Sequence, residues 1–207
     1  MRQFEHDGVT IVYERSGTGP AVLFLHNGGT SSTIWRNQLS VLGDHHTVVA
    51  VDLPGFGSSP RPPDGLDLDD HVAIISALIE ALELAPVLIV GNCMGSNIGA
   101  LITTSRPELV RGLVLVNPLT EATFDAGGLG LLHKVQRRAP GPSKLARRLS
   151  RAIVPPGVAA RATIRFQLGT RGAAAKLQHD PELVACNTRR DQLPALVDVL
   201  DDMDAYG

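Results

Sequence analysis

The chain has 207 residues, of which 43% are hydrophobic and 19% are charged, and its formal net charge is −2. These values exclude a fibrous or disordered chain and favour a globular protein. No apolar run approaches the roughly 18 residues that cross a bilayer, and the N-terminal stretch is acidic where a signal peptide is apolar. We therefore expect a cytoplasmic protein that does not bind a membrane. The two cysteines, Cys93 and Cys186, are too few for a disulfide framework and are expected to be reduced.

Charge is distributed unevenly along the chain. Residues 126–179 include eleven basic residues and no Asp or Glu, whereas the rest of the chain holds eight basic residues and all twenty-one acidic ones. Attraction between this basic segment and the acidic remainder explains the pattern most simply. Steering of an anionic partner is the alternative.

The first half of the chain alternates short β-branched apolar runs with longer helical patterns, which is typical of an α/β sheet with helices on its faces. Strands are predicted at 3–6, 9–14, 21–26, 47–52, 86–90 and 112–117, and helices at 33–42, 66–84 and 94–105. The helix at 66–84 is the clearest, because five apolar residues recur at three-and-four spacing: Val72, Ile75, Leu78, Ile79 and Leu82. After residue 119 the alternation stops. We predict an α/β core at 1–119 and a helical cap region at 120–207.

A candidate nucleophile lies in the segment Gly-Asn-Cys-Met-Gly at 91–95, between a predicted strand and a predicted helix. A nucleophile in so tight a turn requires small residues two positions away on each side, and Gly91 and Gly95 flank Cys93 in this way. The helix N-terminus supplies unpaired N–H groups and a positive potential, which favour a thiolate and stabilise an oxyanion. The alternative for Cys93 is a buried, inert cysteine.

Two further motifs follow predicted strands, and with the turn at Cys93 they make the chain resemble the α/β-hydrolase family. Residues 25–29, Leu-His-Asn-Gly-Gly, resemble the family's His-Gly oxyanion loop, with Asn27 where glycine is more usual. Residues 52–59, Asp-Leu-Pro-Gly-Phe-Gly-Ser-Ser, resemble its D-x-P-G-x-G-x-S turn. The resemblance covers about residues 5–118. It implies a mostly parallel sheet with flanking helices, and an oxyanion hole formed by the N–H groups of Gly28 and Met94.

The resemblance also implies a function. Cysteine replaces the commoner serine, as in family members similar to dienelactone hydrolase, so we expect a hydrolase that acts on an ester, thioester or lactone through Cys93. Asn27 and Trp35 are candidate substrate-binding residues, with core packing the equal alternative for Trp35. His26 is expected to be a structural residue behind the oxyanion loop.

In this family the catalytic acid and histidine follow the cap, on strands with no recognisable counterpart before residue 207. We therefore expect the last strands to be missing and the strand at 112–117 to be an unpaired edge. Glu121, just after that strand, is the candidate acid. His133 and His179 are weaker candidates for a group that reaches Cys93 from the cap.

Two alternatives remain open at this point. The chain is either an enzyme or a catalytically incomplete protein that binds a ligand, associates with itself or needs a partner chain at the sheet edge. The acyl substrate is a small molecule, either free or carried on coenzyme A or an acyl carrier protein, which the basic segment would attract. Nucleic acid is not expected as a partner, because the basic residues lack aromatic interleaving. No cofactor or metal is predicted, because neither metal-ligand spacing nor a G-x-G-x-x-G after a strand is present.

Overall fold

The computed structural model describes residues 1–120, 157–158, 161, 165, 176, 179–186, 188 and 192–202. A six-stranded sheet in the order β1-β2-β4-β3-β5-β6 forms its centre. Its strands are β1 (Arg2–His6), β2 (Val9–Ser16), β3 (Ala21–Leu25), β4 (Thr47–Asp52), β5 (Val87–Asn92) and β6 (Val110–Val116). β2 pairs antiparallel with β1 and β4, whereas the pairs β3–β4, β3–β5 and β5–β6 are parallel. This mostly parallel sheet confirms the predicted α/β fold class.

The α-helices whose bounds lie in the described residues are α1 (Arg36–Leu42), α2 (Leu68–Ala81), α3 (Met94–Ser105), α4 (Pro181–Cys186) and α5 (Gln192–Asp201). The predicted helix at 33–42 is instead a 3₁₀-helix, Ser32–Trp35, followed by α1. α2 begins later than predicted because a capping box defines its start, in which the Asp67 carboxylate accepts the N–H of Asp70 at 2.9 Å and the Asp70 carboxylate accepts that of Asp67 at 3.0 Å. Among these helices, none has the length and apolar character that crossing a bilayer requires.

Alternate side chains of the strands build two apolar clusters, one on each face of the sheet. On one face Leu23, Val49 and Ile89 pack with the buried stripes of α2 and α3. The stripe predicted on α2 is confirmed: Ile75, Leu78 and Ile79 are buried, and Val72 and Leu82 pack against them. On the other face the cluster comprises Val22, Phe24, Trp35, Leu39, Val48 and Ala50.

The strand β6 is an edge of the sheet among the described residues, as the sequence predicts. Three consecutive apolar side chains are exposed there: Val114 by 44%, Leu115 by 47% and Val116 by 36%. Globular proteins normally cover or blunt such edges. An interaction at this edge stays a prediction.

The helix α5 packs on the α/β core. Arg61 binds the carboxylate of Asp198 with two nitrogens, at 2.6 and 2.9 Å, and the N–H of Leu68 donates to the carboxylate of Asp202 at 2.8 Å. Ala195 and Val199 are buried in the same apolar cluster as α2 and α3. The division into a core at 1–119 and a cap at 120–207 stays a prediction, since most of the second segment lies outside the described residues.

Candidate active site

Cys93 lies at the turn between β5 and α3 in an unusual backbone conformation, with φ of +52° and ψ of −112°. A side chain at positive φ is uncommon and strained, and such strain is concentrated at functional sites. The turn is held because the N–H of Cys93 donates to the carbonyl of Val116 at 2.8 Å, and the N–H of Ser96 donates to the carbonyl of Cys93 at 2.9 Å. The thiol is half-buried and forms no disulfide.

The two glycines around Cys93 are required by close backbone contacts. A Cβ atom at Gly91 would overlap the carbonyl of Gly95 and the nitrogen of Ser96. A Cβ atom at Gly95 would overlap the carbonyl of Leu25, at the end of β3. The predicted need for glycine at both positions is confirmed, and its cause at Gly95 is the approach of α3 to β3.

Ser96 supports this turn, although no motif in the sequence points to it. Its fully buried Oγ lies 2.7 Å from the carbonyl of Gly91 and 3.0 Å from that of Val116, and it accepts the N–H of Val116 at 3.2 Å. The hydroxyl therefore joins the end of β5 to the end of β6. A small polar residue in the first turn of the helix was the only available signal.

The oxyanion loop lies beside the Cys93 turn because β3 and β5 are parallel neighbours, with Leu25 opposite Gly91. The Asn27 Oδ1 accepts the Thr30 hydroxyl at 2.7 Å and the Asn92 amide at 3.4 Å, which links the loop to the residue before Cys93. A Cβ atom at Gly28 would lie only 3.7 Å from Sδ of Met94. The structure thus brings together Gly28 and Met94. Their role as oxyanion donors, and that of Asn27 in substrate binding, stay predictions.

The electrostatics of Cys93 differ from the sequence-based expectation. Burial raises the pKa of the thiol, and the hydrogen bond from the backbone N–H of Met94 offsets only part of this effect. Cys93 is therefore a neutral thiol near pH 7. The prediction that the helix N-terminus enlarges the thiolate fraction is wrong, because desolvation outweighs the helix end.

His26 has the structural role that the sequence predicts. The ring is fully buried, its Nε2 accepts the N–H of Leu53 at 2.9 Å, and its Nδ1 therefore carries the proton and donates to the carbonyl of Asn27 at 2.8 Å. Burial lowers the pKa of His26, although the nearby Asp52 carboxylate opposes the shift. With both ring nitrogens used, His26 is not available as a base.

Asp52 organises the neighbouring turn. Its two carboxylate oxygens accept the N–H groups of Ser32 and Ser58, each at 2.8 Å. The same residue thus joins the end of β4 to the segment after the oxyanion loop. Its place at the first position of the D-x-P-G-x-G-x-S motif was the available signal.

The remaining candidates are not brought to Cys93 by any described contact. The ring of Trp35 packs against Phe24, with centroids 5.0 Å apart, in the cluster on the sheet face that carries α1. These contacts support the alternative of core packing for Trp35. His179 is exposed in the turn before α4. Glu121 and His133 lie outside the described residues.

A mostly parallel sheet that presents a cysteine at a strained strand–helix turn, beside a His-Gly type loop, defines the α/β-hydrolase class. The family model of the alpha/beta hydrolase fold matches residues 20–157, which is more than half of the chain. The chain therefore belongs to the α/β-hydrolase fold family.

Similar proteins agree with this assignment. Over 110 residues the chain is 34% identical to a haloalkane dehalogenase of Mesorhizobium japonicum, an alignment that covers 53% of this chain and 36% of that protein. The aligned part is thus little more than a third of the relative's length. A thermophilic esterase from Thermogutta terrifontis superposes with a TM-score of 0.71 at 18% identity, covering 100% of this chain and 73% of that one. Est816, described as an N-acyl homoserine lactone degrading enzyme, superposes with a TM-score of 0.66 at 23% identity, covering 99% and 71%.

Proposed function

We propose that this chain is a hydrolase acting on an ester, thioester or lactone, with Cys93 as its nucleophile. The observation that carries the proposal is the strained conformation of Cys93 at the β5–α3 turn, next to Gly28 and Met94. A side chain held at positive φ in such a turn is directed toward a substrate above the sheet, and N–H groups beside it are suited to a developing oxyanion.

The proposed reaction has two steps. The sulfur of Cys93 bonds to the acyl carbon while the bond to the leaving group breaks, and the thiol proton leaves with that group. Water then attacks the acyl carbon, which releases the acid and restores the thiol. Because burial raises the pKa of Cys93, a base must take the thiol proton and pass it to the leaving group. Glu121 stays our candidate for a functional carboxylate. It is two residues beyond Leu119, whose backbone is held by Asn97 in the first turn of α3, at 2.7 and 2.9 Å.

The chemistry of sulfur favours an acyl substrate over the alkyl halide named for the relative from Mesorhizobium japonicum. Attack of a thiolate on an acyl carbon gives a thioester, which water hydrolyses. Attack on an alkyl halide gives a thioether, which has no carbonyl group for water to attack. A cysteine at this position therefore supports turnover of esters, thioesters or lactones.

The first step tests the proposal. p-Nitrophenyl acetate should release a rapid first equivalent of nitrophenolate per chain as the acetyl group forms on Cys93, before slower release as water cleaves the thioester. Mass spectrometry of the peptides after an acid quench should find the acetyl group on Cys93. Cys93→Ala should abolish the release, whereas Cys186→Ala, which removes the other cysteine, should retain it. Acetylation at Cys186 alone, or an undiminished release in Cys93→Ala, would contradict the proposal.

A second candidate function is that of a ligand-binding or incomplete protein that pairs with another chain. The exposed Val114, Leu115 and Val116 on the edge strand β6 favour it. We expect light scattering to detect self-association at high concentration, and Leu115→Lys to reduce it. A monodisperse monomer at all concentrations would count against this candidate.

We also propose that the acyl group is presented on a phosphorylated carrier such as coenzyme A. The basic segment at 126–179 supports this, and its described members Arg161, Arg165 and Lys176 are exposed. Steering by these charges must weaken as salt screens them. Acylation by a coenzyme A thioester should therefore fall with salt more steeply than acylation by an uncharged ester, and equal salt dependence would contradict the proposal.

A further inference from the structure

The helix α5 lies over the oxyanion loop and supplies apolar contacts next to Gly28. A Cβ atom at Gly28 would lie 3.6 Å from Cδ1 of Leu196, 3.7 Å from Sδ of Met94 and 3.9 Å from Cγ2 of Val199. These are ordinary van der Waals distances. Three apolar groups therefore surround the position that a Cβ atom at Gly28 would occupy, and two of them belong to α5.

The position of α5 is fixed by contacts along its length. Arg61 donates two hydrogen bonds to the Asp198 carboxylate, at 2.6 and 2.9 Å, and Asp202 accepts the N–H of Leu68 at 2.8 Å. At the other end of the helix the Gln192 amide donates to the carbonyl of Thr30, in the oxyanion loop, at 3.4 Å. A side chain on a helix held in this way has a fixed position. We call the three side chains of Leu196, Met94 and Val199 beside Gly28 the wall.

Leu196 differs from the other two members of this wall. Met94 is completely buried and Val199 is 6% exposed, so both belong to the apolar core. Leu196 packs against the same core but is only partly buried. Leu196 is therefore the member of the wall that the apolar core does not fully enclose.

We infer that Leu196 sets the size of the acyl group that reaches Cys93. This inference rests on the proposed function, in which the oxygen of the acyl group lies at the N–H groups of Gly28 and Met94. An acyl group placed there lies beside the wall, so a short chain fits and a long or branched chain meets the leucine side chain. Such pockets discriminate by about 10–200-fold per methylene.

The test measures the rate of Cys93 acylation by p-nitrophenyl esters of increasing acyl length, in a Cys186→Ala background. Leu196→Ala should raise the ratio of hexanoyl to acetyl rates by about tenfold or more, and Leu196→Phe should lower it. Leu42→Ala is the matched control, because Leu42 is a partly buried leucine that packs on the opposite face of the sheet. It should leave the ratio unchanged, and because a ratio is measured, a partial loss of folded protein cancels.

A second series separates this inference from the proposed function. N-alkylmaleimides of increasing chain length modify Cys93 without acyl chemistry. If no ester acylates Cys93 but Leu196→Ala still raises the relative rate of the long maleimides, the hydrolase proposal fails. The inference that Leu196 limits the size of the group reaching Cys93 is then retained. If acylation occurs, and the long-to-short rate ratios of the esters and of the maleimides are the same in Leu196→Ala as in the parent, the inference about Leu196 is wrong.

Discussion

His26 and Leu53 join the loops that follow β3 and β4, because Nε2 of the buried imidazole accepts the N–H of Leu53 at 2.9 Å. The opposite ring nitrogen donates to the carbonyl of Asn27, in the oxyanion loop. The position of that loop relative to Cys93 therefore depends on a side chain that takes no part in the proposed chemistry.

Replacing this ring tests its structural role. His26→Phe keeps an aromatic ring against Phe56 but leaves the buried N–H of Leu53 without its partner, which should cost about 1–3 kcal/mol. The carbonyl of Asn27 keeps the N–H of Thr30, at 3.2 Å, so the loss is concentrated at Leu53. Urea unfolding measures the cost, and His45→Phe, at an exposed histidine, is the control. Equal stability of the two variants would contradict this role.

The neighbouring His71 should make the fold sensitive to acid. Burial lowers the pKa of His71 to about 4, with a smaller contribution from His26 and an opposing one from Asp67. The unfolded chain therefore binds a proton at His71 near pH 6.5, whereas the folded chain binds one only near pH 4. The contribution of the neutral ring to the free energy of unfolding is complete above about pH 6.5 and is lost as the pH falls toward 4. The loss from this group between about pH 7 and about pH 5 should be on the order of 2 kcal/mol.

The variant His71→Phe isolates that contribution. Among the described residues Nδ1 of His71 is buried and has no hydrogen-bond partner. Replacing the ring therefore deprives no other group of a hydrogen bond to this atom. The free energy of unfolding of His71→Phe should fall less between these two pH values than that of the parent chain. The free energy of unfolding of His45→Gln, in which the buried ring of His71 is intact, should change with pH as that of the parent does. Parallel pH curves for His71→Phe and the parent would refute the assignment.

The contact between α3 and β3 predicts a large cost at Gly95. Gly95→Ala places a Cβ atom against the carbonyl of Leu25, which is backbone and can move only with the strand. We expect a loss of roughly 1–3 kcal/mol or more, as for other overpacked sites. Gly157→Ala is the matched control, because nothing lies within 4 Å of its Cβ position. Thermal unfolding compares them, and similar melting temperatures would exclude the close contact.

The motifs near Cys93 could be predicted because their constraints are local. Gly91 and Gly95 are required within a five-residue turn, so their spacing is visible in the sequence. The start of α2 was misplaced by two residues because both Asp67 and Asp70 are compatible with a helix, and only the capping box shows which one precedes it. Its end was placed too late for a similar reason, since Glu83 adopts a positive φ just beyond Ala81.

Other properties of the site depend on contacts between distant residues, which no local pattern contains. The pKa of Cys93 is one, because burial by surrounding elements outweighs the helix end that the sequence reveals. The packing of Trp35 on Phe24 is a second. The contact of Leu196 with the space beside Gly28 joins positions far apart in the chain, and nothing in either segment indicates it.

The raised pKa of Cys93 predicts how its reactivity depends on pH. Since the thiolate is the reactive form, alkylation by iodoacetamide should rise with pH through a midpoint above the roughly 8.5 of a free cysteine. The measurement uses the Cys186→Ala background, with a small peptide thiol as the reference. A midpoint below that of the peptide would show that the helix N-terminus dominates after all.

Alkyl halides distinguish a cysteine nucleophile from the chemistry named for the dehalogenase relative. In the Cys186→Ala background, a short alkyl bromide that reaches Cys93 should release one bromide per chain and then stop, because the thioether that forms has no carbonyl group for water to attack. The chain so modified should no longer be acylated by p-nitrophenyl acetate, and mass spectrometry should find the alkyl group on Cys93. Cys93→Ala should release no bromide in the Cys186→Ala background. Continued release beyond one equivalent in the parent chain, undiminished in Cys93→Ala, would mean that another residue carries the reaction.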